Sequence, residues 1–140
     1  MRVSPLVLLL SACWNLSGAP QPASEAPIES TLCNIIRQAS RFSGKRVRFR
    51  ATVMSDGFEH TVLVDRGCKQ GIIPRIPDQS ASKDDIQAFE RALDGGTPGT
   101  SNKTVTATFT GLFGVQSGKR VLEVEEVRDL KITPVSKAKQ

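Results

Sequence analysis

The feature that most constrains the fold of this chain is a strictly alternating run of apolar and polar residues at positions 46–53. Successive side chains of a β-strand point to opposite faces, so a period of two predicts a strand with one buried face. The apolar face consists of Val47, Phe49, Ala51 and Val53, and the polar face of Arg46, Arg48, Arg50 and Thr52. Such a strand belongs in a sheet that is covered on one side only.

The same period returns in the second half of the chain. Further strands are predicted at residues 61–65, 104–113 and 120–132. The last of these changes phase near Glu125 and Glu126, which predicts a β-bulge. A short apolar segment at residues 71–73 is followed by prolines, so we expect a short strand at an edge of the sheet.

Two segments have a helical period instead. Apolar residues recur at helical spacing between Glu29 and Phe42, which predicts an N-terminal helix. A second helix is predicted to begin with Ser82 as its cap, with Asp85 three residues later in a capping-box position. Two consecutive glycines end this helix.

The order of these elements predicts the fold class. A helix precedes two or three strands, a second helix follows, and two strands come last, which is the order of an OB-fold. We therefore expect a mainly β fold with two helices, a five-stranded OB-like Greek-key barrel with an N-terminal helix and a helix between strands 3 and 4. This domain would span residues 29–132 and leave a basic tail at residues 133–140.

The N-terminus has the features of an export signal. Arg2 precedes a short apolar run that ends in the tetrapeptide Leu10-Ser11-Ala12-Cys13. The run is too short to span a bilayer, which takes ~20 apolar residues in a helix. A lipoprotein signal at residues 1–12 is favoured over an ordinary secretory signal or a chance pattern. The segment 13–28 is rich in proline, serine and alanine, which predicts a flexible tether.

The number of cysteines supports export. The chain has three cysteines, and if Cys13 carries lipid, Cys33 and Cys68 remain as an even pair in an oxidising compartment. We therefore predict a disulfide between them, with two unrelated buried thiols as the alternative. No Cys-x-x-Cys spacing or histidine cluster accompanies them, so no metal or other cofactor is expected.

The chain also resembles small OB-fold-type lipoproteins of Gram-negative bacteria, a family without an assigned function. The resemblance lies in the tetrapeptide at 10–13, Cys33 in the first predicted helix, Gly44-Lys45-Arg46-Val47, and Leu63-Val64-Asp65 ahead of Cys68. It implies cleavage before Cys13 and a lipid on the thiol and new amino terminus. By analogy with lipoprotein sorting, Trp14 after the anchor implies the periplasmic side of the outer membrane.

The alternating arginines are the best candidate for a binding site. Arg46, Arg48 and Arg50 on one strand face can engage phosphates, anionic saccharides or an acidic protein. The alternative is a solvated face that pairs with acids of a neighbouring strand, such as Glu123 and Glu125. We expect a non-catalytic, membrane-tethered periplasmic binding module for a protein or an anionic envelope ligand. An immunity or inhibitor-type lipoprotein is one version of it.

Catalysis and nucleic-acid binding have weaker support. The single histidine, His60, has no serine or cysteine partner in a recognisable arrangement, so we expect no enzyme. The alternative is a small hydrolase or metal-dependent factor that uses His60 with Asp56, Glu59 and Asp65. Proteins that bind single-stranded nucleic acid use exposed aromatic platforms. Because Phe49 and Phe109 lie on the apolar faces of predicted strands and Phe89 on the apolar stripe of a predicted helix, we expect no nucleic-acid partner.

Overall fold

The computed structural model describes residues 25–56, 60–97 and 103–135. The elements are β1 (Ile28–Glu29), α1 (Leu32–Arg37), α2 (Ala39–Phe42), β2 (Arg46–Ser55), β3 (Thr61–Val64), β4 (Ile73–Arg75), α3 (Asp84–Ala92), β5 (Lys103–Gln116) and β6 (Lys119–Pro134). The fold is mainly β, as predicted. The tetrapeptide at 10–13, Trp14 and most of the basic tail lie outside the described residues. No helix in the described ranges is long and apolar enough to cross a membrane.

The six strands form one mixed sheet. Its order is β1-β2-β5-β6-β4, and β3 pairs with β2 off this path. The β1–β2 and β4–β6 pairs are parallel, and the other pairs are antiparallel. The sheet is not closed, because β3 and the segment before β4 meet only at an isolated bridge between Leu63 and Ile72. The closed five-stranded barrel is therefore not confirmed, and the described residues form six strands rather than five.

The faces of β2 are those that its alternating sequence predicts. The buried side chains are at most 4% exposed and are those of Val47, Phe49, Ala51 and Val53. They pack in a core with apolar residues of β5, β6 and the helices. Within this core, the ring centroid of Phe109 lies 6.4 Å from that of Phe49 and 5.3 Å from that of Phe89.

Residues 28–29 form a strand rather than the first turn of a helix. They pair in parallel with the first part of β2. The helix begins at Leu32 instead, because Thr31 is an N-cap whose hydroxyl accepts a hydrogen bond from the N–H of Asn34. The prediction of a helix from Glu29 is therefore wrong at its start, since pairing with β2 outweighs the local pattern.

The predicted N-terminal helix is also interrupted. Gln38 has φ −116° and ψ 42°, which is outside the helical region, and it separates α1 from α2. Ile35 and Phe42, on either side of the break, are both buried. The apolar pattern therefore continues across the break, so the sequence pattern does not predict that the helix is interrupted. This is why the described part of the chain has three helices rather than two.

The helix α3 differs from the prediction at its N-terminus. It begins at Asp84 after Lys83, not at Ser82, and no side chain caps its first turn. Asp85 instead accepts a hydrogen bond from the N–H of Val127 on β6, at 2.8 Å. The capping-box prediction is wrong because this carboxylate binds a backbone N–H at the edge of the sheet instead of one in the first turn of the helix.

The β-bulge predicted near Glu125 and Glu126 is confirmed. Thr110 and Gly111 are consecutive on β5, but their partners on β6, Glu126 and Val124, are two residues apart. Glu125 is therefore the extra residue of the bulge.

Candidate functional site

The arginines Arg46, Arg48 and Arg50 lie on the outer face of β2 but have different surroundings. The Nε atom of Arg46 lies 2.6 Å from a carboxylate oxygen of Glu125 on β6. The Nη1 atom of Arg48 lies 3.4 Å from a carboxylate oxygen of Glu29 on β1. Two of the three arginines are therefore partly neutralised by neighbouring acids.

The two acids named as partners in the solvated-face alternative behave differently. Glu125 does pair with an arginine of β2, through the ion pair with Arg46. Glu123 instead contacts Arg75 of β4, at 2.5 Å between Nη2 and Oε1. The alternative therefore describes the N-terminal end of β2 and does not extend along the whole strand.

The third arginine, Arg50, is exposed and is held by a hydroxyl rather than by an acid. Its Nη2 atom donates to the hydroxyl oxygen of Thr106 on β5, at 3.2 Å. Within the described ranges, no carboxylate forms an ion pair with this guanidinium. Among the three arginines of the β2 face, its charge is the one that a ligand can meet without first displacing an acid.

Arg50 also lines a cleft of about 400 Å³. The cleft lies on the edge of β2 that both β1 and β3 share. On that edge β1 covers residues 47–48, and β3 covers residues 52–55, so residues 49–51 lie in a gap between them. The lining residues are Ser30, Thr31, Arg50, Ala51, Thr52, Asp65, Arg66 and Thr106.

The gap turns backbone groups of Arg50 toward the cleft. The N–H of Ser30 bonds to the carbonyl oxygen of Arg48 at 3.0 Å, so the backbone groups of Arg48 face β1. Backbone groups of alternate residues in a strand face the same edge, so the N–H and C=O of Arg50 face the gap. No strand in the described part of the chain pairs with β2 there. The cleft therefore has a backbone donor beside a guanidinium.

The disulfide predicted between Cys33 and Cys68 is confirmed, with a Cα–Cα distance of 5.6 Å. Cys33 lies in α1, just after the lining residue Thr31, and Cys68 follows the lining residue Arg66. The bond therefore joins the two segments that form opposite walls of the cleft. Asp65 orders the second wall, because its Oδ1 atom accepts a hydrogen bond from the N–H of Arg66 at 2.7 Å.

Of the residues of the catalytic alternative, the structure brings His60 and Asp56 together but not Asp65. The Nδ1 atom of His60 lies 2.9 Å from Oδ2 of Asp56, beside the β2–β3 connection, and the His60 side chain is 85% exposed. Asp65 follows the other end of β3, about 13 Å along the strand. Glu59 lies outside the described residues. Within the described ranges, no three His, Cys, Asp or Glu side chains cluster to hold a metal ion.

Sequence reasoning misses most of the cleft. It identifies Arg50, but not Arg66, which looks like a turn residue, nor the hydroxyls of Ser30 and Thr31. These residues meet only because β1 pairs with β2 and the β3 loop folds back. The even cysteine pair is the one signal that links them, since a disulfide requires its two segments to meet.

Comparison of the chain with known protein families, curated proteins and solved structures finds no match. The arginine face of β2 and the cleft at its edge are therefore the features that point to a function.

Proposed function

We propose that this protein is a non-catalytic binding module, tethered in the periplasm, that binds an anionic ligand or an acidic partner through the arginine face of β2. The observation that carries the proposal is the position of Arg50. Its guanidinium lines the cleft and has no ion-pair partner among the described carboxylates. A cation in this position gains more from an incoming anion than one that is already paired.

The other two arginines add to this attraction at small cost. Their acidic partners remain accessible to solvent: the side chain of Glu29 is 77% exposed, and that of the half-buried Glu125 is 39% exposed. Exposed ion pairs contribute roughly 0–1 kcal/mol, so a polyanion displaces these acids easily. We therefore infer that Arg50 makes the first contact and that Arg46 and Arg48 extend the binding face along β2.

We propose further that the strands follow an OB-like circuit. In support, β2 pairs with β3, β4 pairs in parallel with β6, and β6 pairs with β5, which returns to β2. Leu63 of β3 and Ile72 before β4 exchange both backbone hydrogen bonds, at 2.8 and 2.9 Å. Longer pairing around this bridge is what closure of the barrel requires.

The proposed tether begins at Cys13, which lies outside the described residues, and places the domain at the outer membrane. Replacement of Cys13 by serine removes the thiol that would carry the lipid. We expect the Cys13→Ser variant to accumulate as unprocessed or soluble protein, measured by detergent partitioning and intact mass. A Cys33→Ser/Cys68→Ser variant, which keeps the anchor, should still partition with the membrane. An unchanged mass and partitioning of Cys13→Ser would contradict the anchor.

The arginine face is tested by charge removal, with a single charge removed from another surface as the control. We expect Arg46→Gln/Arg48→Gln/Arg50→Gln to lose most of its capture of envelope components and most of the salt dependence of that capture. Arg91→Gln removes one exposed positive charge from α3 and should leave capture unchanged. Stability should fall by roughly 0–1 kcal/mol for each of the two ion pairs that are lost, and change by no more than ~0.5 kcal/mol at the exposed Arg50. Equal capture of the same components by the triple variant at every salt concentration would disprove the proposal.

A further inference from the structure

We propose that the cleft beside Arg50 is a binding site for a phosphate group carried by the ligand. This inference rests on the proposed function and narrows its ligand class. It is carried by the number of hydrogen-bond donors on the residues that line one small cleft.

Three hydroxyls of the cleft already accept hydrogen bonds from inside the protein. The Oγ atom of Ser30 accepts from the side-chain amide of Asn34 at 2.9 Å, and Oγ1 of Thr31 accepts from the backbone N–H of Asn34 at 3.1 Å. The Oγ1 atom of Thr106 accepts from the guanidinium of Arg50 at 3.2 Å. Each hydroxyl therefore keeps its own proton to donate to a ligand.

Two cations and a backbone group add to these donors. Arg50 and Arg66 both line the cleft, and the N–H of Arg50 faces it, beside the C=O of the same residue, through the gap in the edge of β2. A carboxylate has two oxygens and saturates with few donors, whereas a terminal phosphate presents three strong acceptor oxygens and a charge of about −1.5 to −2 at pH 7. The donor set therefore favours phosphate over carboxylate.

The acid in the cleft, Asp65, does not cancel this preference. Its Oδ1 atom accepts from the N–H of Arg66, and its Oδ2 atom lies 3.9 Å from Sγ of Cys33, so the carboxylate turns toward its own loop and the disulfide. Two guanidinium groups against one carboxylate leave the cleft positive.

The size of the cleft agrees with a ligand larger than a free ion. At about 400 Å³ it is in the range of small-molecule sites. Inorganic phosphate and a sugar phosphate share the recognised group, and the experiment separates the two.

The test is a titration of the ¹⁵N-labelled full chain in a neutral detergent, followed at the backbone amide of Arg50. Inorganic phosphate and glucose 1-phosphate are the probes, with glucuronate at equal ionic strength as the carboxylate control. We expect a saturable shift of the Arg50 amide with both phosphates and tighter binding of the sugar phosphate. Arg66→Gln should weaken phosphate binding about tenfold, and Arg91→Gln should leave it unchanged.

Other results would overturn the inference. If glucuronate binds as tightly as phosphate, the cleft recognises charge alone. If the shift of the Arg50 amide never saturates, or if Arg66→Gln does not change it, the cleft is not a phosphate site. Equal affinity for both phosphates would support the site with the phosphate group as the whole determinant. The titration uses small probes and purified protein, so a negative result disproves the phosphate site without disproving the capture of envelope components by the arginine face. The proposed function itself fails if the triple arginine variant captures envelope components as well as the parent protein does.

Discussion

At the scale of single residues, Asp85 links a helix to an open edge of the sheet. On this edge of β6, β4 covers only residues 121–123, so the backbone groups further along need other partners. Asp85 accepts from the N–H of Val127 at 2.8 Å, and the ammonium of Lys83 contacts the carbonyl oxygen of Glu125. The start of α3 therefore covers the edge where the neighbouring strand ends.

Removal of the Asp85 carboxylate should leave the N–H of Val127, a residue only 5% exposed, without its acceptor. We expect Asp85→Ala to lower the free energy of unfolding by about 1–3 kcal/mol in urea denaturation. Asp84→Ala is the matched control, because Asp84 is exposed in the same helical turn, and it should change stability by no more than ~0.5 kcal/mol. Equal losses in the two variants would contradict this role for Asp85.

At the scale of elements, the β5–β6 hairpin depends on one close backbone approach. The register changes after Thr110, where the bulge occurs. Beside it, a Cβ atom on Gly111 would collide with the carbonyl oxygen of Glu123. Gly114, further along the same strand, has no atom within 4 Å of the position of a Cβ. Glycine is therefore required at the first position and not at the second.

This difference gives a matched pair of substitutions. Gly111→Ala should destabilise the protein by about 1–3 kcal/mol, because the strands must shift to admit the methyl group. Gly114→Ala should be neutral or stabilising by up to ~1 kcal/mol, because alanine restricts the unfolded chain. Thermal unfolding of both variants measures the effect. A similar melting temperature for the two would show that the close approach costs little.

At the scale of the whole molecule, one covalent bond attaches the N-terminal segment to the sheet. The two-residue strand β1 provides little pairing, and the Cys33–Cys68 disulfide adds a link over a sequence separation of 35 residues. A small domain has about 5–15 kcal/mol of net stability, so a single bond of this kind is a large share of it. The same bond holds the two walls of the cleft together.

We expect Cys33→Ser/Cys68→Ser to lose about 3–4 kcal/mol, the chain-entropy value for a loop of this length. Chemical denaturation with and without reductant measures the change. The reductant should lower the stability of the parent protein to that of the variant and leave the variant unaffected. A parent protein whose stability does not respond to full reduction would contradict the prediction.

The sequence alone determined those features that depend on local period or on residue count. Alternation in β2 assigned Val47 and Phe49 to the core and Arg50 to the outer face, because successive side chains in a strand must diverge. The phase change near Glu125 located the bulge for the same reason. Of the three cysteines, the two that remain if Cys13 carries lipid were predicted to pair, and the Cys33–Cys68 disulfide is confirmed.

Only the tertiary structure decided which distant groups become neighbours. Arg46 and Glu125 form an ion pair across 79 positions, and the walls of the cleft come from the segments that follow β1 and β3, which no local period relates. The break at Gln38 is equally invisible, because the apolar residues on both sides stay buried. The period of apolar residues predicts which side chains of a helix or strand are buried. Which strands pair with each other depends instead on many weak contacts across the whole chain. For that reason the outward orientation of the three arginines could be predicted from the sequence, and the cleft beside Arg50 could not.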